Sequence, residues 1–295
     1  MKKSIYITGA SGFVGTNLMQ HLGSAYSFNT YNRKEAVEIK DDVVIHLAGK
    51  AHDLKNTTEE VAYYQANTEL TQIVYDAFLA SDAYVFIYLS SVKAVADKVE
   101  GALTEETPPN PITQYGKSKL LAEQYIFSKP IPVNKRVYVL RPCLIHGPGN
   151  KGNLNMLFKL VEKGIPWPLA AFENKRSFCN IQNLIFTIQN LIEREDIALG
   201  VYNMADDDAL STNELISLMG EAIGKKYSLW KLPENLIRRL AKLGDVLHLP
   251  LNTERLEKIT ESYMVSNKKL TTQIGKPLPI SSREGLINTF RSFYK

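Results

Sequence analysis

One tyrosine and one lysine form the most informative pair of reactive side chains in this sequence. Tyr115 and Lys119 are four residues apart, so on a helix they lie on the same face, one turn from each other. A phenol with an ordinary pKa of about 10 is a poor base at neutral pH, but a neighbouring ammonium favours the phenolate and lowers that pKa. The pair therefore predicts acid/base chemistry with Tyr115 as the proton-transferring group.

A tyrosine and a lysine at this spacing are common on helix surfaces, so the spacing alone does not identify a site. The place of this pair in the chain supports the interpretation. The pair follows Leu89-Ser90-Ser91, where an apolar run typical of a buried strand ends. In open parallel sheets, ligands bind outside the carboxyl ends of the strands. We therefore expect Ser91 to hold a substrate oxygen beside the phenol of Tyr115.

A glycine-rich turn over residues 8–15 stands between the first apolar run and an amphipathic helical pattern. Glycines let a backbone approach a pyrophosphate closely, and the following helix N-terminus presents unpaired N–H groups. In this context the turn predicts a dinucleotide-binding site. The residues of the turn expected to bind the cofactor are Gly9, Ser11, Gly12, Phe13, Val14 and Gly15.

The next strand end bears on the choice of dinucleotide. It reads Tyr31-Asn32-Arg33-Lys34 and offers no carboxylate to accept hydrogen bonds from a ribose 2′-hydroxyl, whereas Arg33 suits a 2′-phosphate. Asn32 and Arg33 are therefore candidate cofactor ligands, and NADP is the expected cofactor. NAD stays the alternative because Glu35 lies close by.

The elements that must position these residues follow from hydrophobic periodicity. Short apolar runs alternate with helical periods, which predicts an α/β fold with a doubly wound parallel sheet of the Rossmann type. The expected strands include 4–8, 42–47, 84–89 and 136–140, and the expected helices include 67–78 and 115–127.

The second part of the chain has a different pattern, mostly helical after about residue 147, and predicts a smaller C-terminal substrate lobe. Ser211 and Glu214 match a capping box at the start of one lobe helix. The expected boundaries are a dinucleotide-binding domain over 1–148, with a return segment near 179–205, and a lobe over 149–178 and 206–295.

Composition excludes several classes of function. The 35 basic and 31 acidic residues are scattered and leave a net charge of +4, which gives no reason to expect a nucleic-acid or membrane-surface partner. No signal peptide or spanning segment is recognisable. Cys143 and Cys179 stand apart without a histidine at metal-ligand spacing, so we expect reduced thiols, no metal site and a cytoplasmic location.

Taken together, these motifs resemble those of the extended short-chain dehydrogenase/reductases of the NAD-dependent epimerase/dehydratase family, in particular the UDP-glucose 4-epimerase-like enzymes of nucleotide-sugar metabolism. The resemblance also rests on His46-Leu47-Ala48-Gly49, Asn67, Arg141-Pro142, Gly147-Pro148-Gly149 and 174–178. It implies that Tyr115 is the acid/base, that Lys119 binds the nicotinamide ribose and that Arg176 binds the diphosphate of a UDP-linked sugar. The further cofactor-binding residues that it implies are Leu47, Ala48, Gly49, Asn67, Ser90, Tyr115, Lys119 and Pro142, and the substrate-binding residues are Ser91, Asn153 and Arg176.

Three functions are compatible with these residues. The favoured one is reduction of the 4-keto group of a UDP-linked (N-acetyl)hexose with NADPH, in bacterial surface-polysaccharide synthesis. The alternatives are a UDP-hexose 4-epimerase that retains NAD, and a non-catalytic NADP-binding regulator on the same fold. Dehydration is not expected, because Val92-Lys93 stands where the resembling dehydratases have an acidic pair.

The family resemblance also implies a homodimer. It would form by pairing the helix over 67–78 with the helix over 115–127, while Leu70, Val74 and Phe78 face either the sheet or the partner.

Overall fold

The computed structural model describes residues 2–50, 60–150, 152–247, 249 and 252–294, and for Asn153 it describes only the backbone. The strands are β1 (Ser4–Thr8), β2 (Ser27–Thr30), β3 (Val43–His46), β4 (Val85–Leu89), β5 (Ala102–Leu103), β6 (Arg136–Pro142), β7 (Leu144–His146), β8 (Phe178–Asn180), β9 (Gly200–Met204) and β10 (Met264–Val265). The α-helices are α1 (Phe13–Leu22), α2 (Glu60–Tyr64), α3 (Leu70–Ala80), α4 (Gln114–Ser128), α5 (Asn153–Glu162), α6 (Ile181–Glu193), α7 (Thr212–Ala222), α8 (Glu234–Leu247), α9 (Thr253–Thr260), α10 (Lys268–Ile274) and α11 (Ser282–Phe293).

Six strands form one parallel sheet in the order β2-β1-β3-β4-β6-β9. Alternate residues of a strand face opposite sides of a sheet. Ile5 and Ile7 accordingly pack with α1 and α6 on one side, and Tyr6 and Val44 pack with α3 and α4 on the other. The predicted doubly wound parallel sheet is confirmed.

The sheet has no strand between β2 and β3, since residues 31–42 form turns and extended chain. β3 therefore pairs directly with β1, and β2 is left at the edge with mostly exposed residues. Only residues 35–40 separate the turn after β2 from Asp41, which is too few for a further helix and strand.

The helix predicted over 67–78 is longer and interrupted. It consists of α2, a π-helical turn over Gln65–Glu69 and α3. Such turns insert one residue into a helix and are frequent at functional sites. This one contains Asn67, which lies fully buried beneath the carboxyl edge of the sheet.

The C-terminal lobe has its own apolar core. That core joins Phe158, Phe172, Leu215, Ile237 and Phe290, which come from five separate parts of the chain. The predicted capping box is confirmed, because Ser211 accepts from the backbone of Glu214 and the Glu214 side chain accepts from the backbone of Ser211.

One part of the predicted lobe packs elsewhere. Leu270 and Ile274 of α10, followed by Leu278, are buried in the same core as β1 and α6. Burial of this apolar face attaches α10 to the sheet, beside β9. The boundaries between domain and lobe otherwise stay a proposal.

The helices expected at a dimer interface present both buried and exposed apolar residues. Val74 and Phe78 of α3 face the sheet and are fully buried, whereas Ile73 is 55% exposed. On α4, Leu121 and Phe127 are 43% and 40% exposed. These three exposed side chains are the ones available to a partner, and the dimer itself stays a prediction.

Two expected absences concern membranes and metals. Among the described residues, no helix is both long and apolar enough to span a bilayer. Within the same part of the chain, no cluster of three or more metal-ligating side chains is found. Cys143 and Cys179 are both free thiols.

Candidate active site

A cavity of about 250 Å³ opens at the carboxyl edge of the central strands. It lies where parallel sheets bind ligands, at the ends of β3, β4 and β6. Its lining contains seven predicted site residues and four others that were not predicted, namely Lys50, Leu89, Cys143 and Ile145. The predicted lining residues are Leu47, Gly49, Ser90, Ser91, Tyr115, Lys119 and Pro142.

Ser91 and Tyr115 meet in this cavity. Ser91 follows β4 and caps the 3₁₀ turn Val92–Ala94, with its hydroxyl accepting a hydrogen bond from the Lys93 backbone at 3.2 Å. Tyr115 lies in the first turn of α4, which is capped by the Thr113 hydroxyl. Both side chains line the cavity, and the Ser91 hydroxyl acts on the Tyr115 phenol by favouring its ionised form.

The electrostatics of Tyr115 differ from the expectation. Its pKa is raised above 10 because burial disfavours the phenolate, and the Ser91 hydrogen bond only partly offsets this. The expected lowering of that pKa by Lys119 is not what the structure gives. Lys119 instead donates from Nζ to the Leu89 carbonyl at 2.9 Å and lies over the Tyr88 ring.

Lys119 is itself perturbed. Burial lowers the pKa of its ammonium to about 8, and the nearby Glu123 carboxylate opposes that shift. The group is therefore mainly protonated at neutral pH, and it loses its charge within an accessible alkaline range. A lysine in this state can donate hydrogen bonds to a ligand hydroxyl.

The glycine-rich turn is packed too closely for side chains at two of its positions. Gly9 has a φ of +72°, and a Cβ there would lie 2.7 Å from the Ala48 nitrogen. A Cβ on Gly15 would lie 2.4 Å from the Gly9 carbonyl oxygen. Gly12 is the N-cap of α1 and has no side chain to cap the helix, so the first N–H groups of α1 stay available to a pyrophosphate. The turn fits a dinucleotide.

The other predicted residues of the turn have different surroundings. Phe13 and Val14, the first two residues of α1, are partly buried against the apolar core, and Ser11 is exposed. Their contacts with a dinucleotide stay predictions.

Gly49 and Asn67 explain how the end of β3 is held. A Cβ on Gly49 would lie 2.7 Å from Asn67 Oδ1 and 3.1 Å from Lys119 Nζ. Asn67 Oδ1 accepts from the Lys50 backbone at 2.7 Å, and its Nδ2 donates to the Ser118 hydroxyl at 2.9 Å. The π-helical turn thus joins the segment after β3 to α4, beside Lys119.

A buried histidine at the end of β3 connects the segment after β3 to β1 and to the helix that contains Asn67. The Ala48 N–H donates to the Thr8 hydroxyl, which donates to His46 Nδ1 at 2.6 Å. His46 Nε2 then donates to the Thr71 hydroxyl at 2.9 Å, which in turn donates to the Asn67 carbonyl. This chain of donors requires a neutral ring, and burial lowers the pKa of His46 to about 3.

Sequence reasoning also missed a buried ion pair behind Ser90 and Lys119. Arg141 Nε donates to both oxygens of the Glu123 carboxylate, at 3.0 and 3.1 Å, and its Nη2 donates to Oε2. The Ser90 hydroxyl donates to the same carboxylate. Ser90 lines the cavity as well, with its hydroxyl proton engaged by Glu123, and its contact with a cofactor stays a prediction. A glutamate one turn after Lys119 was the available signal.

Arg176 lies in a different place, outside the cavity lining. Its Nε donates to the Glu261 carbonyl at 3.2 Å, and its backbone forms bridges with Leu210 and Tyr263. Lys93 lies over the Tyr263 ring at 4.1 Å and donates to the Asp97 carbonyl. Burial lowers the pKa of Lys93, and the Arg176 charge contributes to that shift. Lys93 and Arg176 are thus close enough for their charges to interact, with both of them near Tyr263.

The residues proposed to select the dinucleotide are at the surface. The Asn32 amide donates to the Glu35 carboxylate at 2.7 Å, and its oxygen accepts from the Lys34 backbone. Arg33 is exposed and forms no hydrogen bond or ion pair within the described part of the chain. Its guanidinium is available to an anionic group.

Asn153 was expected to bind the substrate, but its side chain lies outside the described residues.

The chain was compared with protein families and with curated proteins. Residues 5–205 match the model of the NAD dependent epimerase/dehydratase family. The chain is 28% identical to a UDP-glucose 4-epimerase of Vibrio cholerae, over 99% of this chain and 96% of the relative. It is 27% identical to an N-acetyl-alpha-D-glucosaminyl-diphospho-ditrans,octacis-undecaprenol 4-epimerase of Escherichia coli O157:H7, over 79% and 76%. It is also 27% identical to a GDP-6-deoxy-D-mannose reductase of Pseudomonas aeruginosa, over 75% and 80%.

Solved structures share the fold. A UDP-glucuronic acid 4-epimerase from Bacillus cereus in complex with NAD has a TM-score of 0.75 at 20% identity, covering 98% of both chains. The protein RMD from Pseudomonas aeruginosa complexed with NADPH has a TM-score of 0.73 at 21% identity, covering 99% of both chains. At these identities the similarity is one of fold.

Proposed function

The chain belongs to the NAD dependent epimerase/dehydratase family, and from that premise we propose that it is a nucleotide-sugar 4-ketoreductase that uses NADPH. Its substrate is the 4-keto form of a UDP-linked (N-acetyl)hexose. The observation that carries this proposal is that Ser91, Tyr115 and Lys119 line one cavity at the end of β4.

The protonation state of Tyr115 suits reduction. A phenol is protonated at neutral pH, burial keeps it so by raising its pKa, and this is the form that donates a proton to a ketone oxygen. Ser91 holds that oxygen next to the phenol. The dinucleotide, when bound, supplies the hydride that reduces C4. The tyrosyl proton then completes the alcohol, so one proton and one hydride account for the product.

Lys119 and the glycine turn have binding roles in this proposal. The Lys119 ammonium, held by the Leu89 carbonyl, donates to the nicotinamide ribose, and Asn67 fixes the neighbouring backbone of Lys50. The N-terminus of α1 receives the pyrophosphate. Arg176 binds the diphosphate of the sugar nucleotide, since a guanidinium matches phosphate oxygens in charge and geometry.

The choice of NADPH rests on the end of β2. Glu35 is held by the Asn32 amide, while Arg33 has no partner among the described residues and is free to bind a 2′-phosphate. The family relatives do not decide between the two dinucleotides, because the structural neighbours include one in complex with NAD and one complexed with NADPH.

The second candidate is a 4-epimerase that retains NAD. The Vibrio cholerae relative, which aligns over nearly the whole chain, favours it. The comparisons include a second kind of sugar carrier, since one relative acts on an undecaprenol-linked sugar diphosphate.

A non-catalytic regulator is disfavoured, because the Ser91, Tyr115 and Lys119 side chains are all in place. A cytoplasmic location, a role in surface-polysaccharide synthesis and a homodimer through α3 and α4 belong to the same proposal.

Analysis of bound nucleotide distinguishes the two reactions. The purified protein is heated, and any released dinucleotide is separated and identified. We expect an empty site that binds NADPH and oxidises it when a UDP-linked 4-keto-6-deoxy-N-acetylhexosamine is added. Stoichiometric NAD in the purified protein, with interconversion of UDP-hexoses and no net NADPH consumption, would establish the epimerase instead.

A further inference from the structure

Helix α8 presents a row of apolar side chains to solvent. Only three of its described residues are buried, and two of them are small: Ile237, Ala241 and Gly244. The next face along the helix carries leucines spaced by four, three and four residues, which places them in one line. These residues, here called the leucine stripe, are Leu236, Leu240, Leu243 and Leu247, and they are between 44 and 56% exposed.

Other exposed apolar residues lie in the last turn of the helix and on either side of it in the sequence. Val246 and Leu249 are 73% and 46% exposed at its C-terminal end, and Trp230, shortly before it, is 53% exposed. Scattered exposed leucines are ordinary, but a contiguous row on one helix is the kind of surface that contacts another apolar phase. The row belongs to the lobe, because Ile237 and Ala241 pack in the lobe core with Phe172.

Positive charge is concentrated in the segment that contains the leucine stripe, although the charge of the chain as a whole had given no reason to expect a membrane-surface partner. Residues 225–249 contain six basic and two acidic residues, a net charge equal to the +4 of the whole chain. Arg239 and Lys242, beside the leucine stripe, form no ion pair within the described part of the chain, while Arg238 pairs with Glu234. The Asp245 carboxylate is occupied by the Thr253 backbone and hydroxyl.

We propose that α8 docks on the surface of a membrane that contains anionic lipid. The leucine stripe enters the boundary between headgroups and acyl chains, and Arg239 and Lys242 contact lipid phosphates. A helix with a leucine face, a cationic flank and low overall hydrophobicity lies in the plane of such an interface rather than across it. Trp230 suits the same depth, because its ring is apolar and its N–H is polar.

The charge distribution favours lipid over a second copy of the chain. A symmetric dimer through α8 would place the same cationic segment of both copies face to face, at a cost in repulsion. The exposed apolar residues of α3 and α4 offer a dimer a different surface. The proposal goes beyond the proposed reaction and does not depend on it. It places the lobe that carries Arg176 close to a bilayer.

Vesicle flotation of the full-length protein tests this proposal. We expect flotation with vesicles in which phosphatidylglycerol makes up a third of a phosphatidylcholine bilayer, less flotation with phosphatidylcholine alone, and release by high salt. The double variant Arg239→Gln/Lys242→Gln should weaken partitioning about 20- to 30-fold, roughly fivefold per charge. The double variant Leu240→Gln/Leu243→Gln should abolish flotation.

Leu199→Gln is the matched control, since Leu199 is 51% exposed, as Leu243 is, but lies outside α8. It should float like the unmodified protein, and all variants should keep their unfolding midpoint because surface changes cost little. Turnover of a water-soluble UDP-sugar should not change in the α8 variants, so the reaction and the docking are tested separately. Absent flotation, or flotation unaffected by Leu240→Gln/Leu243→Gln, would overturn the proposal. So would a dimer that this double variant converts to monomer without any vesicle binding.

Discussion

Removal of Arg141 alone should destabilise the protein strongly, because it would leave a buried carboxylate without its cation. The side chains of Glu123 and Arg141 are 3% and 7% exposed, and the Arg141 guanidinium donates to both carboxylate oxygens. In Arg141→Met only the Ser90 hydroxyl would still donate to Glu123. Breaking a buried pair in this way typically costs about 3–5 kcal/mol. For a chain of this size we expect a Tm lowered by roughly 10 °C.

The double variant Glu123→Leu/Arg141→Met supplies the matched comparison. Replacing both charges by apolar side chains of similar size removes the desolvation cost together with the attraction, so the unfolding free energy should return to within about 1 kcal/mol of the original. Urea unfolding followed by circular dichroism measures both variants, and an unchanged m value shows that the denatured state is comparable. The coupling between the two sites is then read from a double-mutant cycle.

Glu123 also raises the pKa of Lys119, which is about 8 in the intact protein. Without that carboxylate the Lys119 pKa should fall further, because burial is then unopposed. If protonated Lys119 is required for turnover, the alkaline limb of kcat/KM should move to lower pH in Glu123→Leu/Arg141→Met. An Arg141→Met variant that loses less than about 1 kcal/mol would refute the reasoning, since an uncompensated buried charge costs several times more.

Three further substitutions test the site. Tyr115→Phe should lower turnover by about 10²- to 10⁴-fold while dinucleotide affinity, measured by calorimetry, stays nearly intact; near-normal turnover would show that Tyr115 is not the acid/base. Arg33→Ala should weaken NADPH binding by about 10- to 100-fold and leave NADH binding unchanged, because one charge-assisted hydrogen bond is lost; equal losses would make Arg33 a general adenosine contact. His46 has a folded pKa of about 3, below its ordinary value, so only the unfolded chain takes up a proton as the pH falls from about 6.5 to 3. Stability should therefore decline over that window by up to about 1.4 kcal/mol per pH unit. The urea midpoint of His46→Gln should fall less steeply with pH than that of the unmodified protein, and an equally steep fall would show that His46 is not the cause.

Local sequence patterns were sufficient to bring together the central residues of the candidate site. Tyr115 and Lys119 are one helical turn apart, and Ser91 ends a strand, so a rule about helix faces and a rule about sheet edges bring the three together. The glycine turn was predictable for the same reason, because its glycines are adjacent in sequence and in space. The sheet followed from the alternation of apolar runs and helical periods.

What sequence reasoning missed depends on contacts between distant segments. Glu123 and Arg141 are 18 residues apart in the sequence, and they meet only because α4 packs against β6. The pKa of Tyr115 was predicted in the wrong direction, since the neighbouring Lys119 is visible in the sequence and the burial that outweighs it is not. The leucines of α8 have the spacing of an ordinary buried face. Only the packing of the lobe shows that a different face of this helix is buried.

The edge of the sheet has a consequence for the kinetics of turnover. Residues 31–42 connect β2 to β3 without the additional strand, and Arg33 lies exposed at that edge. A reductase must exchange its spent dinucleotide in every catalytic cycle, whereas an enzyme that regenerates its dinucleotide benefits from slow release. With the adenosine half at this edge, as proposed, a shortened connection leaves fewer contacts to break, which speeds dissociation at a given association rate. Lengthening this connection would then be a route to prolong the residence time of the dinucleotide without touching Ser91, Tyr115 or Lys119.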